Sequence, residues 1–130
     1  MHVEYWKDIQ GYEGQYQVSN LGRVKSLGNK SNHKGEILLR QSTVNGYKHV
    51  SLSNNSLQQI HKVHRLVAVA FIDNPKNYPQ VNHKDGNKQN NRVENLEWCN
   101  AQENALHAQR MGLRVQKKEQ KTQGRLKLNK

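Results

Sequence analysis

The sequence is poor in the residues that build large or cross-linked interiors. Its 130 positions hold one cysteine, Cys99, so neither an internal disulfide nor a thiolate zinc site can form. Hydrophobic residues make up 33% and aromatics 6%, and mean hydropathy is −1.07, which excludes a large core. No apolar run approaches the ~20 residues that span a bilayer, so no membrane partner is expected. The opening stretch Met1-His2-Val3-Glu4-Tyr5-Trp6 carries no apolar leader segment, and an intracellular setting is expected. Acidic side chains are scarce too. Ten Asp and Glu stand against 21 Lys and Arg, for a formal net charge of +11 and a pI near 10.0. That balance points to a polyanionic partner, nucleic acid first.

The positive charge is concentrated at one end. Residues 108–130 carry eight basic side chains, among them Arg110, Arg114, Lys117, Lys118 and Lys121, and one acid, Glu119. Apolar residues are few there and aromatics absent, so this stretch cannot bury enough surface to fold alone. It reads as a solvated arm that supplies phosphate contacts.

The first sixty residues alternate in short pieces. Tyr16-Gln17-Val18 leads into the turn Ser19-Asn20-Leu21-Gly22, and Arg23-Val24-Lys25-Ser26-Leu27 alternates again. Glu36-Ile37-Leu38-Leu39-Arg40 and Tyr47-Lys48-His49-Val50-Ser51-Leu52 flank Asn45-Gly46, a two-residue hairpin signal. Asn54-Asn55 offers a further turn before a strand at Gln58–Val63. A small twisted antiparallel sheet is expected. His64–Ile72 is the most apolar run, and its alanines and the stop at Asp73-Asn74-Pro75 fit a short helix better than a strand. Two alternating pieces follow, Gln80–His83 and Leu96–Cys99, separated by a polar loop. Asn100 is a good N-cap with Glu103 three positions on, so a helix is expected from Ala101 to about Met111, ended by Gly112.

Within that strand, loop, strand and helix unit, Asn82 and His83 close the first strand. Asn104 and His107 are three apart and share a helix face. If that face packs across the strands, the four side chains meet around one point. Amide oxygens with imidazole suit Mg²⁺, Mn²⁺ or a similar hard ion completed by phosphate oxygens. The general reading is a single-metal phosphodiesterase site. Asn87, Asn90 and Asn91 read as turn formers, and Trp98 and Phe71 as core.

The stretches Val81-Asn82-His83-Lys84-Asp85-Gly86-Asn87, Asn95-Leu96-Glu97-Trp98-Cys99 and Glu103-Asn104-Ala105-Leu106-His107 resemble the HNH nucleases, and most closely their homing-endonuclease branch. Trp6-Lys7-Asp8-Ile9, Gly11-Tyr12-Glu13-Gly14, Tyr16–Asn20 and Gly22-Arg23-Val24 are similar to the small module that often precedes that domain. The resemblance implies an α+β chain: a small antiparallel β module over 1–60, a ββα-metal unit over 61–112 and a basic extension over 113–130. It implies that His83 is the general base, that Asn82 and Asn104 hold one divalent cation, and that the Asn95 amide ties the loop so that His83 is aimed. His107 would assist catalysis from beside the phosphate. Arg65, Arg23 and Lys25, with the basic arm, would contact double-stranded DNA. Relatives often carry Asp at the position of Asn82, so a formal charge is missing here. The implied activity is metal-dependent DNA cleavage to 5′-phosphate and 3′-hydroxyl ends, in a bacterial or phage-infected cytoplasm. A non-catalytic DNA-binding protein on the same scaffold is the alternative.

Overall fold

The computed structural model describes residues 3–28 and 35–110. The expected basic arm, with Arg114, Lys117, Lys118 and Lys121, lies outside the described residues. The architecture is α+β: three antiparallel sheets and two helices. The first sheet has the order β1(Trp6–Asp8), β2(Tyr16–Ser19), β3(Val24–Ser26), β4(Ile37–Leu38). The second joins β5(Ser42–Val44), β6(Tyr47–Asn54) and β7(Leu57–Lys62), and leads straight into α1(Val63–Phe71). The third pairs β8(Gln80–His83) with β9(Leu96–Cys99), and α2(Ala101–Arg110) follows.

Local chemistry accounts for most of these boundaries. Asn45 and Gly46 both take positive φ, 54° and 87°, the geometry of a tight two-residue hairpin. The strand that Asn45-Gly46 joins to β6 is Ser42–Val44, with Val44 opposite Tyr47. Ile37–Leu38, expected on that hairpin, instead pairs with β3, because a two-residue loop leaves room only for the residues directly before it. The second turn uses Asn55 and Ser56, also at positive φ. The apolar run is a helix, Val63–Phe71: it takes in Val63, expected at the end of the strand, and stops before Ile72, and Val63, His64, Val67 and Ala68 form its buried stripe at i, i+1, i+4 and i+5. Asn100 caps α2 by accepting from the Glu103 N–H at 2.8 Å.

One core unites the chain. Ile9, Tyr12, Val18 and Val24 from the first sheet meet Val50 and Leu52 from the second, Val63, Val67 and Ala68 of α1, and Val81 and Leu96 of the last hairpin. Trp6 lies under Arg23 and Lys25, and Tyr12 packs edge-on against Tyr16, so these aromatics hold the N-terminal sheet. Among the described residues no helix is long and apolar enough to cross a membrane.

Candidate active site

β8, β9 and α2 place the side chains that the sequence singled out. Successive residues of a strand point to opposite faces. In β8, Gln80 and Asn82 therefore turn one way, and Val81 and His83 the other. The face expected to gather four residues at one point is divided accordingly. Asn82 and Asn104 belong to the α2 side, where Asn104 Nδ2 donates to Gln80 Oε1 at 2.9 Å. His83 turns towards α1 and β6. Asn82 and His83 are consecutive, so the two faces are closest in the chain where β8 ends.

That loop is folded on its own amides. Asn95, buried, accepts from the Asp85 N–H through Oδ1 at 3.0 Å, and its Nδ2 donates to Asp85 Oδ1 at 3.0 Å and to the Asn90 carbonyl at 2.9 Å. Asp85 also accepts from Asn90 Nδ2 and the Asn87 N–H, and these donors hold its carboxyl below the usual range. Lys84 N–H donates to the Asn95 carbonyl at 2.7 Å, which closes the loop immediately after His83.

His83 is buried, and its Nε2 lies 2.7 Å from Asn91 Oδ1. A carbonyl oxygen only accepts, so Nε2 carries the proton and Nδ1 is the free lone pair. Burial lowers the His83 pKa, only partly offset by the Asn91 bond and by Asp85, so the ring is neutral at pH 7. Asn91 is thus more than a turn former. It is itself fixed from outside: a Cβ on Gly22, which sits at φ +89°, would lie 3.0 Å from Asn91 Cβ. Asn20 accepts the Val93 N–H at 2.9 Å beside it. The turn of the N-terminal sheet therefore holds the residue that holds His83.

On its other side His83 meets His64, with ring centroids 4.9 Å apart, and Tyr47, which stacks on His64 at 5.3 Å. Burial, then the charges of His83, Lys62, Arg65 and His49, push His64 down to about 3. Among the described residues its buried Nδ1 has no partner. Lys62 and Lys88 lie over the Tyr47 ring at 5.3 and 4.8 Å. Sequence reasoning placed His64 only at a strand–helix junction and passed over Tyr47 and Lys88. Their proximity to His83 depends on packing between distant segments, which no local pattern reports.

The remaining candidates lie elsewhere. His107, one turn beyond Asn104, buries its Nε2, which has no partner among the described residues. Arg65 donates to the Pro79 carbonyl at 2.6 Å and covers Trp98, so its guanidinium is committed there. Arg23 grips Glu4 through two hydrogen bonds, and Lys25 pairs with Glu36 at 3.0 Å. Arg110 is exposed at the end of α2.

The α2 side suits a hard cation by its donors. Asn82 Nδ2 donates to Glu97 Oε2 at 2.8 Å, as Asn104 Nδ2 does to Gln80. Each amide nitrogen is thus anchored. Among the described residues neither carbonyl oxygen accepts a hydrogen bond, and amide oxygens are proper ligands for Mg²⁺ or Mn²⁺. No group of three or more His, Cys, Asp and Glu among the described residues could hold a metal by itself, so phosphate or water oxygens would have to complete the shell.

Residues 4–53 match the NUMOD4 motif, and residues 61–106 match the model of the HNH endonucleases. The chain is 45% identical over 112 residues to an uncharacterized HNH endonuclease of Acanthamoeba polyphaga mimivirus, covering 86% of this chain and 32% of the relative. It is 40% identical over 116 residues to DNA endonuclease I-HmuI of Bacillus phage SP01, covering 88% of this chain and 64% of that protein. The solved structure described as DNA binding and cleavage by the HNH homing endonuclease I-HmuI superposes with a TM-score of 0.73 at 38% identity, over 87% of this chain and 64% of that one. The chain thus spans only part of the length of these relatives.

Proposed function

The chain belongs to the HNH endonuclease family, and from that premise we propose that it is a divalent-metal-dependent endonuclease acting on double-stranded DNA. The observation that carries this reading is the buried bond from His83 Nε2–H to Asn91 Oδ1. It aims a neutral imidazole with Nδ1 open, the form a general base needs.

The scissile phosphate would lie at the end of β8, where the His83 side and the Asn82–Asn104 side are closest in the chain. His83 Nδ1 takes the proton of a water as its oxygen bonds to phosphorus. The bond from phosphorus to the 3′-oxygen breaks and that oxygen takes a proton from solvent water, leaving 5′-phosphate and 3′-hydroxyl ends. Asn82 and Asn104 would hold one Mg²⁺ or Mn²⁺, which supplies neutralisation of charge on the phosphate and leaving oxygens when bound. Asn95 keeps the loop closed, so His83 cannot swing away. His107 would assist from α2 beside the phosphate. Lys62 and Lys88, beside the His64–His83 wall, are suited to backbone phosphates on either side. Arg110 and the arm that follows would add affinity without sequence readout. The setting is the cytoplasm of a bacterial or phage-infected cell.

The test is nicking of supercoiled plasmid with Mg²⁺, with EDTA, and with His83→Ala. Cleavage that requires the cation and is lost in the variant supports the reading. Tight DNA binding with no cleavage under any metal would identify a DNA-binding protein on a nuclease scaffold instead.

A further inference from the structure

Two neutral amides make a weak home for a divalent ion, since they add no charge to offset its own. The structure sets a carboxylate beside them. Glu97 stands directly opposite Asn82 in the β8–β9 register, which puts both side chains on the α2 face. Its Oε2 receives the Asn82 amide at 2.8 Å. Glu97 is half-buried, and among the described residues no Lys or Arg forms an ion pair with it. Its other oxygen, Oε1, accepts no hydrogen bond among those residues either. A carboxylate partly withdrawn from water normally has a positive partner.

The hydrogen bond also settles which end of the Asn82 amide faces where. Its nitrogen is held by Glu97, so its oxygen is the end left for a cation. Gln80 treats Asn104 in the same way. Asn82 and Glu97 therefore act as a pair.

Resting on the assignment of Asn82 and Asn104 as the cation-holding amides, we propose that Glu97 is the anionic partner of the metal site. It orients Asn82 Oδ1 and gives the ion the carboxylate charge that residue 82 lacks.

The test is Mn²⁺ binding to the full chain without DNA, read from the magnetic-resonance signal of free Mn²⁺, with melting temperature measured in EDTA. Glu97→Gln keeps the shape and removes the charge. It should weaken Mn²⁺ binding at least about tenfold, the usual effect of losing a partner that orients a ligand. Asn82→Asp with Glu97→Gln moves the carboxylate across the strand pair and should return affinity to the wild-type range. Asn82→Asp alone sets two carboxylates against each other. It should lower the melting temperature in EDTA and regain it with Mn²⁺. Wild-type affinity in Glu97→Gln, or an unchanged melting temperature in Asn82→Asp, would overturn the role of Glu97 while leaving the metal site standing. A wild-type chain that binds no Mn²⁺ would overturn the metal site itself, and Glu97 with it.

Discussion

In the β1–β4 sheet, charged and amide groups are matched to partners. Arg23 holds Glu4, Lys25 holds Glu36, and Asn20 accepts from the Tyr5 N–H at 2.6 Å while its Nδ2 donates to the Val3 carbonyl at 3.0 Å. Around β8, by contrast, three side chains are anchored at one end only. Among the described residues Asn82 and Asn104 leave an oxygen and His83 leaves Nδ1. Both regions fold with similar hairpins, so the contrast is not one of architecture. It separates polar capacity that the fold consumes from polar capacity that it leaves open. The exposed pairs of the first region are worth little singly, because water screens them. The half-anchored groups of the second are kept in place by burial and by neighbours.

Substitutions can break this contrast. The largest effect is expected from His83→Ala, which removes the open lone pair. Single-turnover cleavage should fall at least about 10²-fold with DNA affinity nearly unchanged. Full activity in that variant would remove His83 as the base. Asn91→Ala, measured in the same assay, removes only the group that fixes the His83 ring. A smaller loss, on the order of 10-fold, is expected there, as for other partners that orient a reactive group.

The buried wall behind His83 should set the acid limit of stability. His64 is held down to about 3 in the folded chain, from an ordinary value of 6.5. The unfolded chain therefore takes up a proton first. Stability is complete above pH 6.5 and falls as pH drops towards 3, at up to about 1.4 kcal/mol per pH unit. Denaturant titrations between pH 7 and 4 should show that slope, and His64→Gln should flatten it. An unaltered slope in the variant would assign the acid loss to other groups.

Gly22 sharpens the comparison, because it belongs to the first region and acts on the second. Gly22→Ala strains a backbone at φ +89° and presses on Asn91, so a stability loss of about 1 kcal/mol is expected with reduced cleavage. Normal cleavage in the folded variant would separate the two regions. The smallest effect belongs to the matched pairs. Arg23→Ala should cost about 0.2–1 kcal/mol in thermal unfolding and leave the cleavage rate alone.

Much of the chain was legible from its residues. Asn45-Gly46 and the Asn100 cap act within a few positions, so that turn and helix start follow from local backbone preferences, while the second turn falls one residue later than expected, at Asn55-Ser56. The strands at 80–83 and 96–99 and the helix from 101 were legible for the same reason. Resemblance in the stretches around Asn82-His83, Asn95 and Asn104 pointed to the family and to most of the candidate site.

Other features depend on segments far apart in the chain. Ile37–Leu38 and Ser42–Val44 are both short and lie close together in the chain, and only the closure of two sheets around one core assigned them to different partners. Asn91 looked like a turn residue because its Oδ1 acts on a ring eight positions away. His64 reaches His83 through the packing of α1 against the last hairpin, and Glu97 faces Asn82 only through antiparallel register. The sequence by itself determined the local elements, the charge and the family, because each rests on neighbouring residues. The tertiary structure alone decided which polar atoms are anchored and which stay open, because that depends on what distant segments bring within hydrogen-bond reach.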